Sequence, residues 1–246
     1  MVNGRFHKRE TFKEQAYFDS QVAYNEGMLR KFEAKIMDAT TDPEHRWKLR
    51  YSLFRSSLEQ LIMRYSRGES VSALRDSFPL IVRYLSAYNS EGKGNAVEFN
   101  ILDGYVQAVW LVSLAFLLEI DEDLFAVLLR ELNNEGSDAM FERLVALRVS
   151  GRPQALTLLY PKPYQPLLDA VNAEGKQQTQ LIQKFLRGYF AGLKKAYWYN
   201  THLGEDAGFF GYWCFELAAF VKALDIDDAA FAENIFYPVD LVRNRD

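Results

Sequence analysis

Catalysis or metal binding would need charged, proton-carrying or thiol side chains at short spacing, and this chain offers few such sets. The three histidines, His7, His45 and His202, fall in separate segments, and none forms an HxxxH or HExxH pair that would put two ligands on one helical turn. His202 is followed by Glu205 and Asp206, a conceivable metal set that reads more simply as a polar cluster at a helix end. The single cysteine, Cys214, lies in an apolar run, so the chain has no disulfide framework or Cys-rich zinc site. A Gly-rich phosphate loop, a nucleophile elbow and a CxxC are all missing. Neighbouring acids such as Asp227 and Asp228 resemble a catalytic pair, but acid–base work needs two environments that push the two pKa values apart. Glu216 is the oddly placed acid. A carboxylate amid Tyr212, Phe215 and Phe220 must be paired, protonated or at a rim. A helical metal-dependent hydrolase built on Glu205, Asp206 and Glu216 is therefore one reading, and a helical scaffold without catalysis is another. Between 184 and 199, Lys184, Arg187, Lys194 and Lys195 alternate with Tyr189, Phe190, Tyr197, Trp198 and Tyr199. Rings and cations together suit nucleic acid, but helical spacing turns most of these rings inward, so no direct nucleic-acid contact is expected.

The elements that must position these residues centre on 208–231. Phe209, Trp213, Leu217, Phe220 and Leu224 recur at helical spacing with apolar flanks, which predicts a helix buried on all sides over 208–225. It runs into an acidic turn where Asp227 or Asp228 can cap a short helix bearing Phe231. The pattern also appears 106 positions earlier: 117–125, LLEIDEDLF, lies over 223–231, ALDIDDAAF. Leu118, Ile120, Asp121 and Phe125 fall on Leu224, Ile226, Asp227 and Phe231. Two related halves are expected, each with a central buried helix over 101–120 or 208–225.

A chain of 246 residues, 49% apolar and 15% aromatic, has ample material for a core. The charged start MVNGRFHKRETFK carries no secretory signal. The longest apolar run, 106–118, is too short to cross a bilayer. A cytoplasmic protein with no membrane contact and no cofactor is expected. The net charge of −4 hides segregation. Residues 101–142 carry one base against nine acids, 143–202 nine bases against two acids, and 203–246 three bases against nine acids. Each acidic block holds one copy of the repeated turn. Such blocks form surface ion networks with the basic middle, or offer an acidic face to a basic partner.

In chain order, the periodicity predicts helices over 10–38, from Asp42-Pro43 to Gly68, and from Ser70 to Tyr88, with Pro79 kinking or splitting the third. Further helices are expected over 103–119, from Glu122 to Leu132, from Asp138 to Ser150, a short one ending near Ala173, and a long one from Lys176 to Thr201. No segment alternates at period two. The fold class is all-α, a compact helical bundle of roughly nine helices. Its halves, 1–135 and 136–246, are expected to pack as one globular unit.

At 211–219, GYWCFELAA, running to LDIDD at 224–228 and closing with YPVDL at 237–241, the sequence resembles the PoNi immunity proteins. These neutralise PoNe-type polymorphic nuclease toxins of interbacterial competition, including those of type VI secretion. The family pattern has glycine where this chain has Asp225. Arg9 to Glu33, with Tyr17-Phe18-Asp19, resembles the family's N-terminal region less specifically. The resemblance implies a non-enzymatic helical antitoxin that binds and inhibits a cognate DNase toxin, an enzyme of the PD-(D/E)xK nuclease group. A nuclease must attract polyanionic DNA, so an acidic surface is its natural competitor. On that ground the partner-binding residues are expected to be Asp121, Glu122 and Asp123 at the first turn and Asp227 and Asp228 at the second, with Glu205, Asp206 and Glu216 beside them.

Overall fold

Ten α-helices and one 3₁₀ turn make up the regular structure in the computed structural model, which describes residues 6–205 and 208–243. Strands do not occur among the described residues. α1 (Gln15–Met37) and α2 (Pro43–Arg67) form an antiparallel hairpin. Asp42 starts α2 by accepting hydrogen bonds from the backbone N–H groups of Glu44 and His45, both at 3.0 Å, and Pro43 supplies the first-turn geometry. Gly68, with φ +104°, ends it.

α3 (Val71–Asn89) returns along α2 and runs unbroken through Pro79. The lost hydrogen bond is outweighed by a buried face of Leu74, Phe78, Ile81, Val82 and Leu85. α4 (Leu102–Leu117) is central: every residue but Leu102, Asp103 and Phe116 is buried. α5 (Glu122–Leu132) starts at Asp121 and stops at Asn133, whose φ of +49° is left-handed.

α6 (Ala139–Val145) is shorter than its periodicity suggested, and a stretch without regular structure follows over 152–158. α7 (Pro161–Val171) and α8 (Gly175–Gly192) pack on each other. The long helix expected to Thr201 stops at Gly192, where the backbone lies against Pro163, and turns carry the chain to the 3₁₀ turn Thr201–Leu203. The rings beyond that break still point inward, Trp198 among them.

The helix expected over 208–225 is only half a helix. α9 covers Phe215–Ala223, while 208–214 is irregular although Phe209 to Cys214 are buried. Two glycines decide this. Gly208 has φ +66° and Gly211 φ +118°, and a Cβ on Gly211 would overlap Ser66 Oγ and the Trp213 indole nitrogen. A buried irregular strip must satisfy its backbone largely through side chains and other loops. Tyr17 Oη donates to Phe209 O at 3.1 Å, Ser66 Oγ to Phe210 O at 2.5 Å and Tyr189 Oη to Trp213 O at 2.9 Å. The Cys214 N–H donates to Phe236 O at 2.8 Å. α10 (Val239–Arg243) closes the described chain. One apolar cluster runs from Phe18 to Leu241, drawing on both ends of the sequence.

α4 and α9 lie side by side and point the same way. Trp110 meets Phe215 near the start of α9 at a ring distance of 6.4 Å. At its end, Lys222 Nζ reaches Leu117 O at 3.2 Å. The two helices of the sequence repeat are thus neighbours, and their exits share one end of the molecule.

Candidate partner-binding surface

The first exit begins where α4 runs out of intrahelical acceptors. The Ile120 N–H returns to Ala115 O at 3.0 Å and the Glu119 N–H to Phe116 O at 3.1 Å, with Glu119 at φ +54°. These are the paired bonds of a Schellman motif. At the second exit, the Ile226 N–H returns to Val221 O at 3.1 Å, with Asp225 at φ +50°. The equivalence continues: Asp121 Oδ1 accepts from Leu124 N–H at 2.8 Å, and Asp227 Oδ1 from Ala229 N–H at 3.0 Å. Phe125 and Phe231 are then both buried beneath their turns. The repeat is therefore partly one of geometry, shared at the helix exit and the buried Phe, although Asp121 bonds the third residue on and Asp227 the second.

Three cations converge on the last carbonyls of α4, where the helix dipole places partial negative charge. Arg75 Nε donates to Leu118 O at 2.5 Å, Lys222 Nζ to Leu117 O, and Arg148 Nη1 to Ala115 O at 3.4 Å. Arg75 and Lys222 also pair with Glu119, at 3.0 and 2.9 Å. Around this knot stand Asp121, Glu122, Asp123, Asp225 and Asp227, all exposed and none in an ion pair among the described residues. The outcome is a rim of unneutralised carboxylates around a small neutralised centre. Asp225 belongs to this rim and Glu119 to its neutralised centre, although the two acidic runs alone did not single them out. The offset of 106 positions superposes them.

The remaining expected contact residues lie apart from this rim. Asp228 is buried, bonded to Arg243 and accepting from Tyr237 Oη at 3.2 Å, so it ties the tail to the α9 exit rather than meeting solvent. Glu205 is exposed beside Gly204, whose carbonyl accepts from Lys13 Nζ at 3.0 Å. Asp206 lies outside the described residues. Glu216 sits fully inside the core, with both carboxylate oxygens lacking a hydrogen-bond partner. Burial pushes its pKa up to about 7, against smaller opposing effects of its own backbone N–H and then of the Cys214 thiol. It cannot touch a partner of the folded chain, and it does not join Glu205 in a site. His202 is held by Tyr212, with Nδ1 to Oη at 2.8 Å and Phe12 against its ring. Among the described residues, no three His, Cys, Asp or Glu side chains are grouped to hold a metal ion.

Two family models match this chain: PoNe immunity protein (PoNi), N-terminal, over residues 9–130, and PoNe immunity proteins (PoNi), C-terminal, over residues 136–241. The chain belongs to the PoNi family of immunity proteins. It thus has an immunity role, and its partner is a toxin protein. The crystal structure of protein PA2201 from Pseudomonas aeruginosa superposes with a TM-score of 0.75, covering 98% of this chain and 91% of that one. At 15% identity, that likeness concerns the fold alone. No curated protein matches the chain significantly.

Seen as PoNi residues, the motifs that carry the resemblance build the frame around the surface. Gly211 allows the irregular strip, Tyr237 and Arg243 hold Asp228, and Asp240 takes Arg9 Nε at 2.5 Å. Asp225, where the family pattern has glycine, keeps the left-handed backbone that glycine would adopt. Among the described residues, no helix is long and apolar enough to cross a membrane.

Proposed function

We propose that this PoNi protein captures a cognate DNase toxin in the cytoplasm of the producing cell and blocks it by occupancy, with no catalysis of its own. Membership of the family over 9–130 and 136–241 carries the reading. The paired acidic exits support the choice of a nuclease. A DNA-cutting enzyme needs a basic cleft, and a rim of free carboxylates on a rigid helix pair is a surface that such a cleft attracts. The toxin, delivered to neighbours by contact-dependent secretion, is expected to be encoded beside this chain.

The test is to purify the product of the adjacent gene and measure plasmid cleavage with increasing amounts of this protein. Cleavage is expected to stop near one immunity chain per toxin, and the two are expected to co-elute. Continued cleavage at several-fold excess, or protection that a trace amount supplies catalytically, would sink the proposal.

A further inference from the structure

The end of the bundle away from the acidic exits carries a cleft lined by aromatic rings and carboxylates. α4 separates the two by its own length, about 24 Å for 16 residues. At that far end, Trp47 and Tyr51 of α2 meet Tyr88 of α3. The Trp47 and Tyr88 rings stack at 5.2 Å with 20° between their planes, and Tyr51 lies 5.7 Å from Tyr88. The cleft, of about 390 Å³, opens beside them. Glu98 and Asp103 line it too, together with Ile101, which is 52% exposed. Gly104 makes this wall possible: a Cβ there would come within 2.5 Å of the Glu98 carbonyl, so only glycine lets the Glu98 backbone sit against the start of α4. Asp103 Oδ1 accepts from the Tyr197 N–H at 3.0 Å, while Glu98 is exposed and forms no ion pair among the described residues.

Ring faces with a free carboxylate beside them recognise cations, and a guanidinium suits them best because it stacks flat and offers a fork of donors. The chain shows this attraction itself. Lys93 Nζ stands 5.8 Å from the Trp47 ring centroid, with no carboxylate paired to it among the described residues. Its loop turns through Gly92 and Gly94, both at positive φ, and Glu44 attracts the same ammonium without forming an ion pair with it. Lys48, which also lines the cleft, is paired with Glu44 at 2.9 Å, and Arg50 with Glu91 at 3.0 Å.

We propose that the cleft receives an arginine side chain of the toxin, stacked on the outer face of Trp47 and paired with Glu98, and that Lys93 gives way as it enters. This rests on the immunity reading above and adds a second anchor to it. The test measures the affinity of the full chain for the purified toxin. Glu98→Lys is expected to weaken binding about tenfold or more, and Lys93→Ala to tighten it, since a competing internal cation is removed. Glu98→Gln serves in place of Glu98→Lys if thermal unfolding shows the latter misfolded. Unchanged affinity in either arm overturns the cleft as an anchor while leaving the immunity reading intact. A wild-type chain that does not bind the toxin overturns both.

Discussion

Glu216 shows how the same side chain differs by its surroundings. Asp138 is equally buried, yet its oxygens accept from Tyr105 Oη at 2.8 Å, from Met140 and Phe141 N–H at 2.9 Å, and from Leu159 N–H at 2.7 Å. Glu142 receives Arg152 and the Gly136 N–H. Glu216 receives no such bond, and Tyr105, Tyr164, Tyr189 and Cys214 around it all feel its charge as an added cost of ionising. Its folded pKa of about 7 lies above the ordinary 4.5, so the folded state holds the proton more tightly. A raised carboxyl stabilises below its unfolded pKa, and that contribution is lost as pH rises through the folded one. Between pH 4.5 and 7 the loss amounts to about 3 kcal/mol for a shift of this size. Glu216→Gln removes the titration, so relative to wild type it is expected to gain stability from pH 5 to about pH 7 and to level off above that. Buried Glu10 also has a raised pKa, from desolvation above all, so the informative quantity is the difference between variant and wild type in denaturant titrations. A difference that stays flat across that range would show Glu216 to be ionised or paired in solution.

At the scale of the element, the two exits show a local rule and a departure from it. Both place a non-glycine residue at a left-handed position, and Glu119 is compensated by Arg75 and Lys222 while Asp225 has no ion pair among the described residues. Asp225→Gly is therefore expected to stabilise by about 0.5–1 kcal/mol, read as a higher denaturant midpoint at constant slope. A lower midpoint would mean that the Asp225 carboxylate holds the turn. Turns of this kind were legible in the sequence because their signals are local. Asp42-Pro43 with Gly68 bounds α2, and Asp121 with Asn133 bounds α5. The boundaries that sequence misplaced depend on distant partners. Gly211 breaks the helical pattern because Ser66 and Trp213 occupy the space of its missing side chain, and Gly192 ends α8 against Pro163. The site follows the same division. Paired acidic runs were visible as a repeat, whereas the burial of Asp228 beneath Arg243 and the isolation of Glu216 appear only once the tail and four helices have closed around them.

Over the whole molecule, the parallel contact of α4 and α9 gathers negative charge that the sequence spreads over more than a hundred positions. Opposite charge at a rim mainly speeds encounter, and its effect fades as salt shortens the screening length. Reversing Glu122 and Asp123 to lysine is therefore expected to slow association with the toxin and flatten its dependence on salt, with a smaller change in dissociation. The choice of residues matters. Asp121 and Asp227 hold the backbone N–H groups of Leu124 and Ala229, so changing them would confound charge with capping. Glu122 and Asp123 make no such bond but stand at the positive end of α5, so their reversal costs about 0.3–1 kcal/mol each in helix stability. Unfolding curves must show the double variant folded before rates are compared. Changes at the Glu98 cleft, a helix length away, are expected to act on dissociation instead, because an arginine seated between the Trp47 ring and the carboxylate is desolvated. The two ends thus separate by kinetic signature. If the folded double reversal associates at the wild-type rate with the wild-type salt slope, the acidic exits are ordinary solvated surface, and the toxin docks on another face of the bundle.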